Sequence, residues 1–107
     1  MKIASIKKFH LNGETIVIRY NADEVGDTST PETYFEVTGL PENSEVTIMG
    51  FTLNESTGVP MKLADISNLG VADSITADGL YLVLSGALER LEISGNAECD
   101  IIMKQVI

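Results

Sequence analysis

The sequence predicts an all-β protein, an antiparallel β-sandwich of about eight short strands, immunoglobulin-like or jelly-roll-like in plan. Three observations carry this. Apolar and polar residues alternate with a period of two in one segment after another, the mark of a strand with a single buried face. Turn residues recur roughly every 8–12 positions, the spacing of sandwiches and barrels. Helical periodicity is almost absent. The chain has 107 residues, an ordinary length for one domain, so residues 1–107 are expected to form a single sandwich. Alternation does not determine which strands pair, so a closed barrel stays open beside the sandwich.

Taken in order, the segment from Lys2 to His10 reads as an edge strand. Asn12-Gly13 is a strong hairpin signal, and it predicts that this strand pairs with the next. That next strand is Thr15 to Tyr20, with Ile16, Ile18 and Tyr20 on one side and Thr15, Val17 and Arg19 on the other. Residues Asn21 to Glu32 are polar and form a long loop. Tyr34 to Thr38 is a strand that turns Phe35 and Val37 to one face and Tyr34 to the other. Gly39 to Ser44 is a turn of the kind that joins strands in sandwiches.

Glu45 to Met49 alternates cleanly, but Phe51 and Leu53 fall on the opposite face. A glycine at that phase slip, Gly50, predicts a bulge or bend. Met61 to Ile66 is a weaker strand, and Asn68 to Ser74 reads as a connection. A turn at Asp78-Gly79 leads into Leu80 to Leu84, which is apolar on both faces and predicts a central, doubly covered strand. Ala87 to Leu91 fits one helical turn or a strand equally well. Leu91 to Ser94, a turn at Gly95-Asn96, and alternation of Cys99, Ile101 and Met103 predict a C-terminal hairpin. The three prolines sit in or beside loops, where no strand needs their missing N–H.

Composition narrows the function. Hydrophobic residues make up 44% of the chain, too many for a disordered protein, and their runs are far shorter than a membrane span. Lys7 and Lys8 interrupt the N-terminal segment too early for the apolar core of an export signal, so none is expected there. A single cysteine rules out an internal disulfide, and folding in a reducing cytosol is expected. Asn54-Glu55-Ser56 fits a glycosylation sequon and, without export, reads as a polar turn. Seven basic residues against 16 acidic ones give a net charge of −9. Such a surface repels a phosphate backbone, so no nucleic-acid partner is expected. Its simplest consequence is solubility.

The chemistry of catalysis is hard to assemble from these residues. His10 is the one histidine, at the end of an edge strand, where a solvated residue is expected. Cys99 alternates with Ile101 and Met103 and reads as a small buried hydrophobe without a basic neighbour. One histidine and one cysteine do not make a zinc site, and the glycines are scattered singly, with no phosphate-binding loop. The carboxylates are too many for any pair to single out glycosidic chemistry. No catalytic, cofactor-binding or metal-binding residue is therefore assigned, and no small-molecule substrate or enzymatic activity is expected. The acidic cluster Asp23, Glu24 and Asp27 lacks the spacing of a calcium loop and reads as a solvated surface loop. Asp23, Glu24 and Asp27, with Tyr34 as the best-exposed ring, are the candidate partner-contact residues.

The C-terminal third carries a family resemblance. Ile75-Thr76-Ala77-Asp78-Gly79-Leu80-Tyr81-Leu82-Val83, then Ser85 to Leu88, Leu91 to Ile93 and the strand Ile101 to Lys104 resemble small β-sandwich proteins on the heads of tailed bacteriophages. Among these it resembles the auxiliary (decoration) capsid protein of crAss-like phages and related podoviruses. The Gly39-Leu40-Pro41-Glu42 turn followed by Val46 and Ile48 also looks like the immunoglobulin-like or fibronectin-like modules of phage structural proteins. The pattern spans about a third of the chain and brings no site residues with it. It implies a virion protein assembled in the host cytoplasm, bound to the major capsid protein or other virion proteins and to further copies of itself. A head-fibre base is a second such place. The alternative is a non-catalytic adhesion module that binds a glycan or a protein.

Overall fold

A computed structural model of the chain describes residues 3–19, 32–52, 57–84 and 88–106. These residues form ten strands and no helix. The strands are β1 (Ile3–Leu11), β2 (Ile16–Arg19), β3 (Glu32–Thr38), β4 (Val46–Phe51), β5 (Val59–Pro60), β6 (Leu63–Asp65), β7 (Gly70–Ala72), β8 (Gly79–Leu84), β9 (Arg90–Gly95) and β10 (Cys99–Val106). They make two antiparallel sheets, one ordered β1-β10-β3-β8-β6-β7 and one ordered β2-β9-β4-β5. The fold is the expected antiparallel sandwich. Its two additional strands, β5 and β7, are only two and three residues long, too short to show a period in sequence.

Both sheets turn their apolar positions inward. Leu11, Phe35, Val37, Tyr81, Val83, Ile101 and Met103 come from the larger sheet and Ile18, Val46, Ile48, Leu91 and Ile93 from the smaller, all within one buried cluster. Cys99 is buried in it too, as its alternation predicts. Removing such side chains from water is the main favourable term of folding.

The two expected hairpins are instead arches between sheets. β1 pairs with β10 and β2 with β9, so neither β1–β2 nor β9–β10 is a hydrogen-bonded pair. Gly13 does take the left-handed φ of 78° that its turn signal implies. However, residues 12–15 separate the two strands, enough chain to cross the ~10 Å between packed sheets. Leu11 and Ile18 can then bury in the same core from opposite sides. The β3–β4 turn also crosses. The larger sheet therefore begins β1-β10-β3 and the smaller β2-β9-β4. Three arches lie side by side, with β9–β10 in the middle.

Gly50 is not a bulge. β4 stays in register with β9 from Val46↔Gly95 to Phe51↔Arg90. A β-carbon at Gly50 would lie 2.5 Å from Met61 Sδ and 3.1 Å from Leu88 Cδ2, so those side chains fill the inward position. Phe51 points to the other face and is covered there by the Arg90 guanidinium, 3.8 Å from the ring centroid. The Phe51 ring also lies against Gly58, where a β-carbon would sit 2.6 Å from Phe51 Cζ.

β8 is internal, between β3 and β6, but only one of its faces is covered. Tyr81 and Val83 are buried, Leu80 and Leu82 are half-buried, and Leu84 is 69% exposed. The predicted connection at residues 68–74 contains β7 instead, paired Leu63↔Ala72 to Asp65↔Gly70. Pro60 lies in β5, at the edge of its sheet, where its missing N–H is harmless. The alternative at Ala87 to Leu91 resolves toward strand at Arg90–Gly95, while residues 85–87 lie outside the described residues.

Candidate functional site

The outer face of the six-stranded sheet is the surface the fold sets apart. Paired residues run across it in one continuous row, Ile6–Lys104–Tyr34–Leu82–Ala64–Val71. A second row is Lys8–Ile102–Glu36–Leu80. The charged residues lie toward the β1 side, where Lys104 Nζ is 3.9 Å from a Glu36 carboxylate oxygen. Toward β6 and β7 the face becomes apolar. Met61, Ala64, Val71, Leu82 and Leu84, together with Lys62 and Leu63, line a shallow groove of about 260 Å³ there. Exposed apolar residues gathered on one face mark an interaction surface more often than scattered ones do.

Tyr34, the one described candidate contact, stands in the middle of the first row. Its ring is half-buried between Lys104 and Leu82, its register neighbours. Its hydroxyl donates to Glu32 at 3.2 Å. Desolvation, with the Glu32 carboxylate second, raises its pKa. The ring is thus a flat part of a surface and not a free stacking platform. Asp23, Glu24 and Asp27 lie outside the described residues.

The end of the sandwich that carries the arches is polar and acidic. Asp78 accepts hydrogen bonds from the backbone N–H groups of Gly39 and Leu40 at 3.1 and 2.8 Å. Asn96 Oδ1 accepts from the Glu45 N–H at 2.9 Å, and the Ser74 hydroxyl donates to Glu45 at 2.7 Å. Ile75 and Val46 exchange two backbone hydrogen bonds, each 2.8 Å, which tie the chain before β8 to the smaller sheet. Tyr81 donates to the Ala77 carbonyl at 2.7 Å, much as a tyrosine corner pins a turn in other sandwiches. These groups serve turns and corners.

His10 is exposed as expected, but it is not merely solvated. Its Nδ1 lies 2.7 Å from Asp100 and its Nε2 2.5 Å from Glu98. Register places it opposite Asp100 on β10, so the ring clasps the first arch to the middle one. The hydrogen bond to Asp100, then that to Glu98, raises its pKa. In its protonated form the ring can donate from both nitrogens, to Asp100 and to Glu98, and that form has no lone pair to act as a base or a metal ligand. Cys99 has its pKa raised by burial first and Asp100 second, the opposite of an activated thiol. Among the described residues no group of three or more His, Cys, Asp or Glu is arranged to hold a metal ion.

Sequence reasoning missed the apolar end of this face. Its signal is the two-sided apolar character of Leu80 to Leu84, which fits a second covering layer as well as an exposed apolar face. Leu69 and Val71 lie in a stretch whose sequence predicts a connection.

No family model matches the chain, and no curated protein matches it in sequence. Solved structures do share its fold. SPBc2 prophage-derived protein YomS superposes with a TM-score of 0.64 at 10% identity, over 96% of this chain and 94% of that one. PBSX exported protein XepA superposes with a TM-score of 0.65 at 14% identity, over 98% of this chain and 39% of that one. The chain thus spans nearly all of the first protein and about two fifths of the second. At these identities the likeness is one of fold.

Proposed function

We propose that this chain is a bacteriophage virion-associated structural protein, an auxiliary or decoration protein of the capsid lattice or a component of a head-fibre base. The observation that carries the reading is the sandwich itself, shared over nearly its whole length with a prophage-derived protein and with part of a second phage-derived one. The site chemistry supports it. The histidine is held between two carboxylates, the cysteine is buried, and the distinctive surface is a sheet face suited to contact. A structural role needs surfaces, and these are what the fold supplies.

On this reading the partners are the major capsid protein or other virion proteins, and further copies of the chain. Its place is the virion, or outside the cell, since one fold neighbour is described as exported. Binding is geometric: weak contacts are repeated over a lattice, and effective concentration multiplies each one. The adhesion-module alternative would use the same sheet face, but the half-buried Tyr34, held to Glu32, gives it little to stack a sugar on.

The test is fractionation of the native source on a density gradient, with the chain quantified by mass spectrometry in every fraction. Co-migration with particles at a fixed ratio to the major capsid protein is expected. Recovery only in the soluble fractions would overturn the reading.

A further inference from the structure

The four sheet edges are not equally guarded. β1 carries two exposed lysines, Lys7 and Lys8. β2 is four residues long and ends on Arg19. β5 has two residues, one of them Pro60. Lysine, shortness and proline are the usual devices that stop an edge from pairing with another chain. β7 has shortness alone. Its residues, Gly70, Val71 and Ala72, are uncharged. Val71 is 75% exposed, and Leu69 beside it is 91% exposed with a φ of 54°. A leucine held in the left-handed region and aimed at solvent is doubly unfavourable for an isolated molecule.

We propose that the β7 edge pairs with the β7 edge of a second copy, antiparallel and about a two-fold axis through Val71, to continue the six-stranded sheet across the dimer. Charge selects this occupant. A chain of net charge −9 repels its own copies over most of its surface, yet the seven residues Ile66 to Ala72 carry no charge. Nearby charges are already answered. Lys62 and Asp73 pair at 3.5 Å, and Asp65 accepts from the Asn68 backbone and side chain. With Val71 opposite Val71, the two Asp73 side chains stand four positions apart, about 13 Å along the strands. That exceeds the Debye length of roughly 10 Å at 0.1 M salt. A basic partner would find nothing on this edge to recognise. The apolar row Leu82–Ala64–Val71 would run on into its symmetry mate, and such cross-strand apolar pairs stabilise a sheet.

The contact is small. A standard interface uses about 20–30 residues a side, and this one supplies fewer than half of that. The dimer is accordingly weak, with a Kd on the order of 0.1–1 mM, and gains force only where copies are held close together.

Sedimentation velocity of the purified chain from 10 µM to 2 mM tests this. Concentration-dependent dimerisation is expected, with Val71→Lys, which sets two lysines opposite one another, and Leu69→Asp, which faces Asp73 of the second copy, each raising Kd at least tenfold. Val17→Lys, on the β2 edge of the other sheet, leaves Kd unchanged. Circular dichroism verifies that each variant folds, and either β7-side variant suffices if the other does not. A monomer throughout the range, or a dimer indifferent to the folded β7-side variants, overturns the proposal. The outcome is separable from the virion reading, which is tested on particles: a dimer absent from particles sinks that reading alone, and a strictly monomeric virion protein sinks this one alone.

Discussion

Gln105 stands where the alternation of β10 calls for an apolar side chain. Cys99, Ile101 and Met103 precede it on the buried face, and Gln105 itself is 2% exposed. It pairs in register with Ser5 of β1 and Thr33 of β3. Its Nε2 has no hydrogen-bond partner. A buried donor left unpaired costs about 1–3 kcal/mol. Methionine matches glutamine in length, has no donor and adapts to irregular gaps. Gln105→Met is therefore expected to stabilise the fold by about 1–2 kcal/mol, less whatever the amide oxygen contributes. For a domain of this size each kcal/mol moves Tm by about 4–8 °C, so Tm rises by roughly 5–15 °C. Thermal unfolding followed by circular dichroism reads the shift. Urea unfolding with an unchanged m-value checks that stability has moved and not the compactness of either state. An unchanged or lower Tm would refute the reasoning, since it would mean that the amide is satisfied in solution.

Three further perturbations follow from the corners. The His10 pKa is raised by Asp100 and then Glu98, above an unfolded value near 6.5. The clasp's contribution is therefore fully present below about pH 6.5 and is lost as pH rises through the folded pKa. An NMR titration of the His10 ring should show the upward shift, and His10→Gln should flatten the fall of Tm between pH 6 and 8; a ring pKa at or below 6.5 contradicts the clasp. Asp78→Ala removes the acceptor for the Gly39 and Leu40 N–H groups and should cost about 1–2 kcal/mol, read by urea midpoint, with Asp78→Asn retaining part of it. Gly95→Ala would place a β-carbon 3.0 Å from the Glu45 carbonyl oxygen and 3.0 Å from Leu11 Cδ2. The backbone oxygen cannot easily retreat, so a loss of about 1–3 kcal/mol is expected in the same assay.

The strands were legible because burial on one face imposes a period of two on the residues themselves. Ile16 and Ile18, Phe35 and Val37, Val46 and Ile48, and Cys99 to Met103 all fall inward as their spacing demands. Pairing was not legible. A turn such as Asn12-Gly13 fixes a local reversal, but whether the chain returns in its own sheet or crosses to the other depends on where the neighbouring strands lie. β10 pairs with β1 and β9 with β2 in place of a β1–β2 hairpin, and a β9–β10 hairpin is displaced because β10 lies between β1 and β3 and β9 between β2 and β4. Gly50 misled because one glycine has two uses, a backbone bend or room for a neighbour. Only the positions of Met61 and Leu88 decide between them. The candidate surface was hidden for the same reason. Leu82 and Leu84 look alike in sequence, whether a second layer covers them or nothing does.

Crosslinking of intact particles tests the virion role most directly. Lys8 and Lys104 project from the outer face of the six-stranded sheet, and Lys62 stands at its apolar end, 77% exposed at the side chain. Density-purified particles treated with a lysine-reactive crosslinker and digested should give peptides that join these lysines to another virion protein, in every preparation and at a constant ratio. Particles that lack the chain, or that carry it in variable amounts with no crosslink beyond its own residues, would contradict a structural role in the virion.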